Sequence, residues 1–471
     1  MLFNSPTFLV FVVVVFATYW RVKDLRTQNI LLLLASLFFY GWWNWHFLFL
    51  LGFAAGVDFA VAIALESVTA PLARRALLMV SLATNLGMLG LFKYADFFLG
   101  SASALASHAG MAVHYSPLHL LLPIGISFYT FQALSYTIDV YRGQLPATRD
   151  PVAYFGFIAF FPHMVAGPIQ RARHLLAQFE HERHFSYEQA ADGCRQMLWG
   201  FFKKMVVADN LAPVVNVAFA DPASAGSWQL LWAMYAFTIQ IYADFSGYTD
   251  IALGCARLFG FELTPAFAYP YFGRTMPEVW RRWNMSLMEW FREYVFLPLS
   301  RTRLMRRRPR LNLFIVFLLS GLWHGAEWTF VAWGVFHGLA YLAYDLTGVD
   351  RYLRRRREAG RIVDVTLWFF TFHVVCFSMI IFRAGSLSDV LSIGMRIGSI
   401  VHSVPHAPSA GWAFGLAGGL MAFEWVQRHR RHALELDGWR APLRLATYYG
   451  VCVLIAWKAN LGSTPFIYFQ F

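Results

Sequence analysis

Charged residues are scarce in this sequence. Of its 471 residues, 14% are charged and 58% are hydrophobic, whereas a soluble domain averages about 25% charged and 45–50% apolar residues. Several apolar runs reach the ~20 residues that a helix needs to cross a bilayer. The sequence therefore predicts an all-α polytopic membrane protein.

The motifs of several enzyme classes are also missing. The four cysteines lie far apart without CxxC spacing, so they indicate neither a metal nor a redox site. Neither GxSxG nor HExxH occurs, which excludes a nucleophile elbow and a zinc-protease helix. Glycine-rich phosphate loops are absent, and we expect no metal and no bound cofactor. Because no long Gly/Ser linker divides the chain, we predict one integral-membrane domain over residues 1–471.

The net charge of +12 comes from basic residues in short loops between apolar runs. This distribution follows the positive-inside bias of membrane proteins, so we expect lipid contacts and no nucleic-acid partner. Residues 6–20 have no basic region before them and no small-residue cleavage site after them, which favours a retained span over a signal peptide. Both termini are then predicted to be extracytoplasmic.

The loop charges predict ten membrane crossings, with an interfacial helix over 187–204 that ends at Lys203 and Lys204. The predicted crossings are 8–20, 30–43, 47–65, 76–92, 118–138, 205–220, 228–256, 363–382, 412–426 and 445–456. Pro123 and Gly125 predict a kink packed against protein within the fifth crossing. The aromatic tail PFIYFQF is expected to lie outside.

Two further apolar segments have basic residues on both sides, so neither can be an ordinary crossing. In 154–169, Pro162, Gly167 and Pro168 also interrupt a straight helix. We predict that its core, FFPHMVAGPIQR, is re-entrant and that His163 has a packing role.

The second such segment, 311–344, lies between RTRLMRRRPR (301–310) and RYLRRRREAGR (351–361). Two short helices that meet inside the membrane satisfy both its length and the charge rule. The bend is predicted between Gly321 and Gly325, where glycine lets the backbone turn. It places His324 at membrane depth, where an ionisable group is a functional candidate by default. For His337 we favour packing.

Two other segments contain polar groups whose roles stay open. Asp244 and Asp250, near the end of one predicted crossing, either form a structural hydrogen-bond knot or line a substrate path; we favour the structural role for Asp250, and the role of Asp244 stays open. Arg281 and Arg282, in PEVWRRWN, either anchor the chain at the headgroups or meet a phosphate or carboxylate of a donor molecule. The candidate substrate- or donor-binding residues are Arg281, Arg282, Trp283, Trp323, Asp244 and Tyr248.

Histidine suits general-base chemistry because its pKa lies near physiological pH. Transfer of an acyl group to a hydroxyl needs such a base, together with a donor that stabilises the charge on the carbonyl oxygen. We predict His324 as the base and Asn284 as the amide donor.

At this point several motifs resemble the bacterial branch of the membrane-bound O-acyltransferases. The resemblance covers the chain from LPIGISFYTFQALSYTIDVYRG onwards, with core 117–346, C-terminal helices 363–471 and weaker agreement over 1–115. It rests on five motifs in the same order: FFPHMVAGPIQR, QIYADFSGYTDIALG, PEVWRRWNMSL, SGLWHGAEWTFVAWGVFHG and PFIYFQF.

The resemblance implies specific residues and a specific reaction. The family's near-invariant histidine falls on His324, and its second active-site position falls on Asn284, where this branch usually has histidine. Family members of this type move an acyl group from the cytoplasmic side towards an acceptor outside, often through a partner that completes transfer onto a polysaccharide. For this chain the resemblance suggests acetyl-coenzyme A as donor, a periplasmic acetyltransferase partner, an alginate-like polymer and the bacterial inner membrane.

Two other function classes remain open at this stage. A proton-coupled transporter or channel would use an intramembrane histidine, but it should show an internal repeat of broken helices, and SGLWHG has no second copy. A non-catalytic scaffold of an export complex would not depend on His324 for acyl transfer.

Overall fold

A computed structural model describes residues 1–111, 113–355, 360–408, 410–459 and 466–467. Over these residues the secondary structure is helical, without strands. The predicted all-α class is thus confirmed. The chain divides into one unit of Met1–Ala190 with Cys255–Thr264 and a second unit of Ala191–Gly254 with Pro265–Phe471. The prediction of a single domain over 1–471 stays a prediction.

Among the described residues, the first unit contains eight α-helices before the boundary helix α9. They are Pro6–Tyr19 (α1), Leu25–Gly41 (α2), Phe47–Ser67 (α3), Pro71–Leu89 (α4), Ala95–His108 (α5), Ile126–Tyr141 (α6), Pro151–Ala159 (α7) and Ala172–Phe179 (α8). A π-helical turn, Gly90–Tyr94, joins α4 to α5.

Local sequence explains where these helices begin. Before α1, the Ser5 hydroxyl accepts the Phe8 N–H, and Pro6 occupies the first turn, where its missing N–H costs nothing. Before α2, the Asp24 carboxylate accepts the Thr27 N–H at 2.7 Å. Each cap satisfies a backbone donor that has no partner within its helix.

The region of the first predicted re-entrant element is interrupted, as predicted. Helix α7 ends at Ala159, and an irregular stretch leads to α8. His163 within it is 2% exposed and contacts the Phe160 ring, in keeping with a packing role. At Gly125, where φ is +77°, a Cβ would lie 2.7 Å from the Met164 carbonyl. Glycine therefore lets the two segments touch, and α6 begins there instead of kinking.

The second unit holds the remaining helices, of which α9 and α11 reach into both units. They are Tyr187–Phe201 (α9), Asp209–Ala220 (α10), Ser227–Leu258 (α11), Met276–Trp280 (α12), Met285–Phe291 (α13), Leu297–Arg301 (α14), Pro309–His324 (α15), Trp328–Thr347 (α16), Val349–Arg355 (α17), Arg361–Arg383 (α18), Leu387–Gly398 (α19), Gly411–Gln427 (α20) and Ala441–Lys458 (α21).

The structure differs from the prediction at Lys203 and Lys204. We placed these lysines at the end of an interfacial helix, yet helicity continues from α9 into α10 through a π-helical segment, Phe202–Ala208. Both lysines are buried. Their carboxylate partners, described below, compensate for the burial of the charges.

Length and composition identify three helices among the described residues that can cross a membrane. They are Phe47–Ser67, Pro71–His108 and Ile362–Arg383, and Pro6–Tyr19 is a shorter apolar helix. The ten predicted crossings therefore stay a prediction.

Candidate active site

Helices α15 and α16 form an antiparallel hairpin held together by glycines. A Cβ at Gly334 would lie 2.6 Å from the Phe317 carbonyl oxygen, and one at Gly338 would lie 2.8 Å from the Phe314 ring. Gly338 follows Gly334 on α16 but contacts an earlier residue of α15, so the two helices run antiparallel. Only glycine, which has no Cβ, allows the two helices to approach each other this closely.

The hairpin turns where the sequence predicted a bend. Helix α15 ends at His324, Gly325 is extended (φ −161°, ψ 157°), and α16 begins after Glu327. The break is thus confirmed, at the last residue of the predicted interval. Its depth in a membrane is a separate prediction, which stays untested.

His324 lies in a box of aromatic rings. Its imidazole is 5.0 Å from the rings of both Trp323 and Trp333 and 5.3 Å from the ring of Phe382, with interplanar angles of 73–82°. The residue is 3% exposed. Such edge-to-face contacts fix the orientation of a ring. The box brings together α15, α16 and the end of α18.

His337 also contacts Trp333, from one helical turn further along α16. Its ring is 4.4 Å from Trp333 and 5.0 Å from Trp280. Both ring nitrogens are buried without a hydrogen-bond partner. His337 therefore packs against the aromatic cluster, as predicted, but at the expense of two unsatisfied polar atoms.

Asn284 occupies a strained backbone position at the start of α13. Its φ and ψ are 42° and 52°, in the left-handed region, which asparagine tolerates better than most residues. The side chain is buried, and its amide nitrogen has no hydrogen-bond partner. The segment is held by the Met285 N–H, which donates to the Ala266 carbonyl at 2.8 Å.

The PEVWRRWN segment presents its tryptophans to different neighbours. Trp280 lies 5.6 Å from Trp333, so it connects this segment to the hairpin that carries His324. Trp283 stacks on Tyr271 at 5.7 Å and packs against Phe267. Through this contact, the segment that carries Asn284 packs against the hairpin that carries His324.

A cavity of about 520 Å³ lies between this segment and the part of the hairpin that is away from its turn. Arg281, one of the predicted donor-binding residues, is exposed and lines it, whereas Arg282 is half-buried. The other lining residues are Pro277, Trp280, Met285, Met288, Glu289, Arg292, Phe296, Leu313, Val316, Phe317 and Tyr341.

Asp244 and Tyr248, the two candidates on α11, lie elsewhere. Asp244 is 2.9 Å from the Lys204 ammonium and accepts the Ile467 N–H at 2.8 Å. Tyr248 packs against Phe466 with ring centroids 4.8 Å apart. Both residues therefore hold the chain near its C-terminus. Phe466 and Ile467 are buried, whereas the rest of the predicted tail is outside the described residues.

Sequence reasoning missed a second buried charge cluster beside these residues. Lys203 lies 2.6 Å from Asp250 and 3.8 Å from Glu424. Tyr242 and Trp199 both donate hydrogen bonds to Glu424. The signal was present, because a single acid in the apolar run of α20 requires a partner. Asp250 thus forms an ion pair with the buried Lys203, in keeping with the structural role that we favoured for it.

Metal-ligating side chains are dispersed over the part of the chain that the structure describes. No three of its histidines, cysteines, aspartates and glutamates are grouped so that they could hold a metal ion.

Comparison with known proteins adds an independent result. A family model described as MBOAT, membrane-bound O-acyltransferase family, matches residues 143–382. This interval contains Asn284, the hairpin and nearly all of α18.

Curated relatives extend the similarity to most of the chain. The chain is 40% identical to the probable alginate O-acetylase AlgI of Azotobacter vinelandii, over 82% of this chain and 76% of the relative. It is 39% identical to the protein of that name from Pseudomonas aeruginosa, over 82% and 73%. Identity to a peptidoglycan O-acetyltransferase of Helicobacter pylori is 32%, over 83% and 79%.

Proposed function

Because the chain belongs to the membrane-bound O-acyltransferase family, we propose that this O-acyltransferase moves an acetyl group from a cytoplasmic donor across the membrane for O-acetylation of an exported or cell-wall polysaccharide. The names of the relatives support a polysaccharide acceptor, of the alginate or peptidoglycan type. The greater identity to the alginate O-acetylases favours an alginate-like polymer. The observation that carries the proposal is the position of His324 at the hairpin turn, inside an aromatic box and within the family-matched interval.

His324 acts as the general base in this proposal. It takes the proton of the acceptor hydroxyl while the hydroxyl oxygen attacks the carbonyl carbon of an acetyl thioester. The new C–O bond forms, the C–S bond breaks, and the proton returns from His324 to the departing thiolate. The products are an acetyl ester and a free thiol. The surrounding rings hold the imidazole in one orientation, as a positioned base requires.

Asn284 supplies the amide that polarises the acetyl carbonyl. Its buried amide nitrogen has no hydrogen-bond partner among the described residues, so it is available to a substrate. An amide cannot carry protons as a histidine can, and this leaves proton transfer to His324. Donors of this kind typically contribute 10²–10³-fold in rate.

The donor enters from the cytoplasm through the 520 Å³ cavity. Arg281 and Arg292 line it together with apolar side chains, which suits acetyl-coenzyme A, a donor with phosphates and a thioester arm. The basic stretches 301–310 and 351–361 support a cytoplasmic position for the two ends of the hairpin away from its turn.

The acceptor approaches from the opposite side of the membrane. Helix α15 has 16 residues, so His324 lies about 24 Å from its basic end at 1.5 Å per residue. It contacts Phe382, the second-last residue of α18. These lengths favour a site near the outer surface, where a periplasmic acetyltransferase partner completes transfer onto the polymer.

The topology proposed here has ten crossings, the two re-entrant elements and both termini outside, in the bacterial inner membrane. In this proposal the donor and the acceptor approach His324 from opposite sides of the membrane. Such broken helices are tolerated at membrane depth because they are buried in protein.

The chemical assignment is tested with His324→Ala in a strain that makes the acetylated polymer. Acetate released from the polymer by mild alkali should fall by at least ~100-fold, the lower limit for a general base. The amount of protein in the membrane should not change. A variant that keeps more than a tenth of the acetate would contradict the general-base role and would favour a scaffold.

A further inference from the structure

Two aromatic side chains form one wall of the 520 Å³ cavity. Trp280 and Phe317 line it and contact each other edge-to-face at 5.1 Å. Both are buried, with Trp280 6% and Phe317 0% exposed. The ring of Trp333 lies 5.6 Å from that of Trp280 and 5.0 Å from that of His324, so it contacts both.

The wall is separated from His324 by more than the distance over which a reaction takes place. Phe317 precedes His324 by seven residues on α15, or about 10 Å along the helix axis. A reacting carbonyl must come within ~3–3.5 Å of its nucleophile. An acyl group held in the cavity must therefore pass the rings of Trp280 and Trp333 to reach the base.

The rings near this wall and His324 carry polar atoms that have no hydrogen-bond partner in the described part of the chain. The indole nitrogens of Trp280 and Trp333 and both ring nitrogens of His337 are buried without hydrogen-bond partners. Buried polar groups are normally paired, and an exception calls for an explanation. A thioester carbonyl that passes these rings would accept a hydrogen bond from one of them.

The geometry points to Trp280 as the residue that limits the size of the transferred acyl group. This inference rests on the proposed function and goes beyond it. The indole of Trp280 leaves room beside it for a two-carbon acyl group, whereas a longer chain meets the ring before its carbonyl reaches His324. His337 is a positioning residue, since its edge-to-face contact with Trp280 at 89° fixes the plane of the indole.

Wild-type protein gives the first test. With acetyl-CoA and butyryl-CoA as donors, an alginate-type polysaccharide as hydroxyl acceptor and purified full-length protein in lipid vesicles, kcat/KM for His324-dependent thiol release is measured for both donors. Each extra methylene that meets a closed wall costs about tenfold or more, so acetyl should be preferred by at least ~100-fold. Equal use of the two donors would overturn the inference.

Substitution of the wall gives the second test. Trp280→Leu should reduce the acetyl-to-butyryl ratio by at least ~10-fold, and Trp280→Phe, which disturbs packing less, should reduce it in the same direction. The matched control is Trp290→Leu, because Trp290 is as buried as Trp280 but does not line the cavity. It should leave the ratio unchanged.

The outcomes separate this inference from the proposed function. An unchanged ratio in a folded Trp280→Phe protein contradicts the role of Trp280 alone and leaves acetyl transfer standing. Wild-type protein that releases no thiol in a His324-dependent manner contradicts both.

Discussion

At the scale of single residues, Asn284 combines two properties that one substitution can separate. Its backbone is left-handed, and its buried amide nitrogen is unpartnered. Alanine would remove the amide and also strain the backbone, whereas glycine adopts φ near +42° without cost. Glycine at this position therefore tests the amide alone.

We expect Asn284→Gly to lower acyl transfer by roughly 10²–10³-fold, the cost of one carbonyl-polarising donor. Thermal stability in detergent should stay close to that of the wild type, because the backbone conformation is kept. Asn284→His should retain part of the activity, since histidine also tolerates the left-handed region and can donate a hydrogen bond. Full activity in the glycine variant would mean that Asn284 has only a conformational role.

Lys203 gives a residue-scale prediction about stability. It is buried with Asp250 and Glu424, and removal of one partner from a buried ion pair typically costs 3–5 kcal/mol. Lys203→Met should therefore lower the unfolding temperature in detergent strongly. Lys23→Met, at an exposed lysine, is the control and should have little effect. Equal melting temperatures for the two variants would show that the cluster contributes no stability.

The buried charges also show where sequence reasoning stops at the residue scale. His324 was predictable because its apolar surroundings and flanking basic stretches are local in sequence. The partners of Lys203 lie on α11 and α20, far away in the chain, so no local pattern could identify them. The same reason applies to Asp244, whose partners Lys204 and Ile467 lie on distant segments.

At the scale of elements, the hairpin depends on close approach of two helices through glycine. The break after His324 was predictable from charge and length, but the tight packing of α15 against α16 was not. Gly334 and Gly338 face the partner helix only because of the register that tertiary packing selects. A pattern of glycines in one apolar run does not define that register.

Gly334→Ala tests the hairpin, since its Cβ would meet the Phe317 carbonyl oxygen at 2.6 Å. The helices must separate, which should lower both thermal stability and acyl transfer, because the box around His324 is built from both. Gly418→Ala on α20 meets open space and, as the better helix former, should be neutral or slightly stabilising. If Gly334→Ala is as stable and active as Gly418→Ala, the close packing of α15 against α16 at Gly334 is contradicted.

The boundary between α9 and α10 illustrates another limit of element prediction. Two adjacent lysines usually mark a helix end at a membrane surface, and here they lie in the middle of a continuous helical stretch. The π-helical segment changes the facing of consecutive residues, so Lys203 and Lys204 meet different carboxylate groups. π-Bulges of this kind often occur at functional or strained sites.

At the scale of the whole molecule, the fold class followed from composition, whereas the number of crossings did not follow from helix lengths. Three described helices are long and apolar enough to cross a membrane, and several predicted crossings coincide with shorter helices such as α10 and α20. The other predicted crossings rest on the charges of the loops between them. The topology therefore needs a separate test.

Single cysteines at Arg306 and Arg351, in a background without the four native cysteines, test the sidedness of the hairpin. Both positions are exposed, and both should resist an impermeant thiol reagent in intact cells and react after the membrane is opened. A cysteine in the 402–406 loop, predicted outside, is the positive control. Labelling of position 351 from outside, with position 306 protected, would make 311–344 an ordinary crossing.

The most direct test of the central claim uses sealed inverted membrane vesicles with the cytoplasmic face outward. Acetyl-CoA labelled in its acetyl group is added outside, and alkali-labile label on polymer inside the vesicles is counted for wild type and His324→Ala. The account predicts label inside the wild-type vesicles and a decrease of at least ~100-fold in the variant. Equal labelling of the two, at equal protein, would show that His324 does not carry out the transfer.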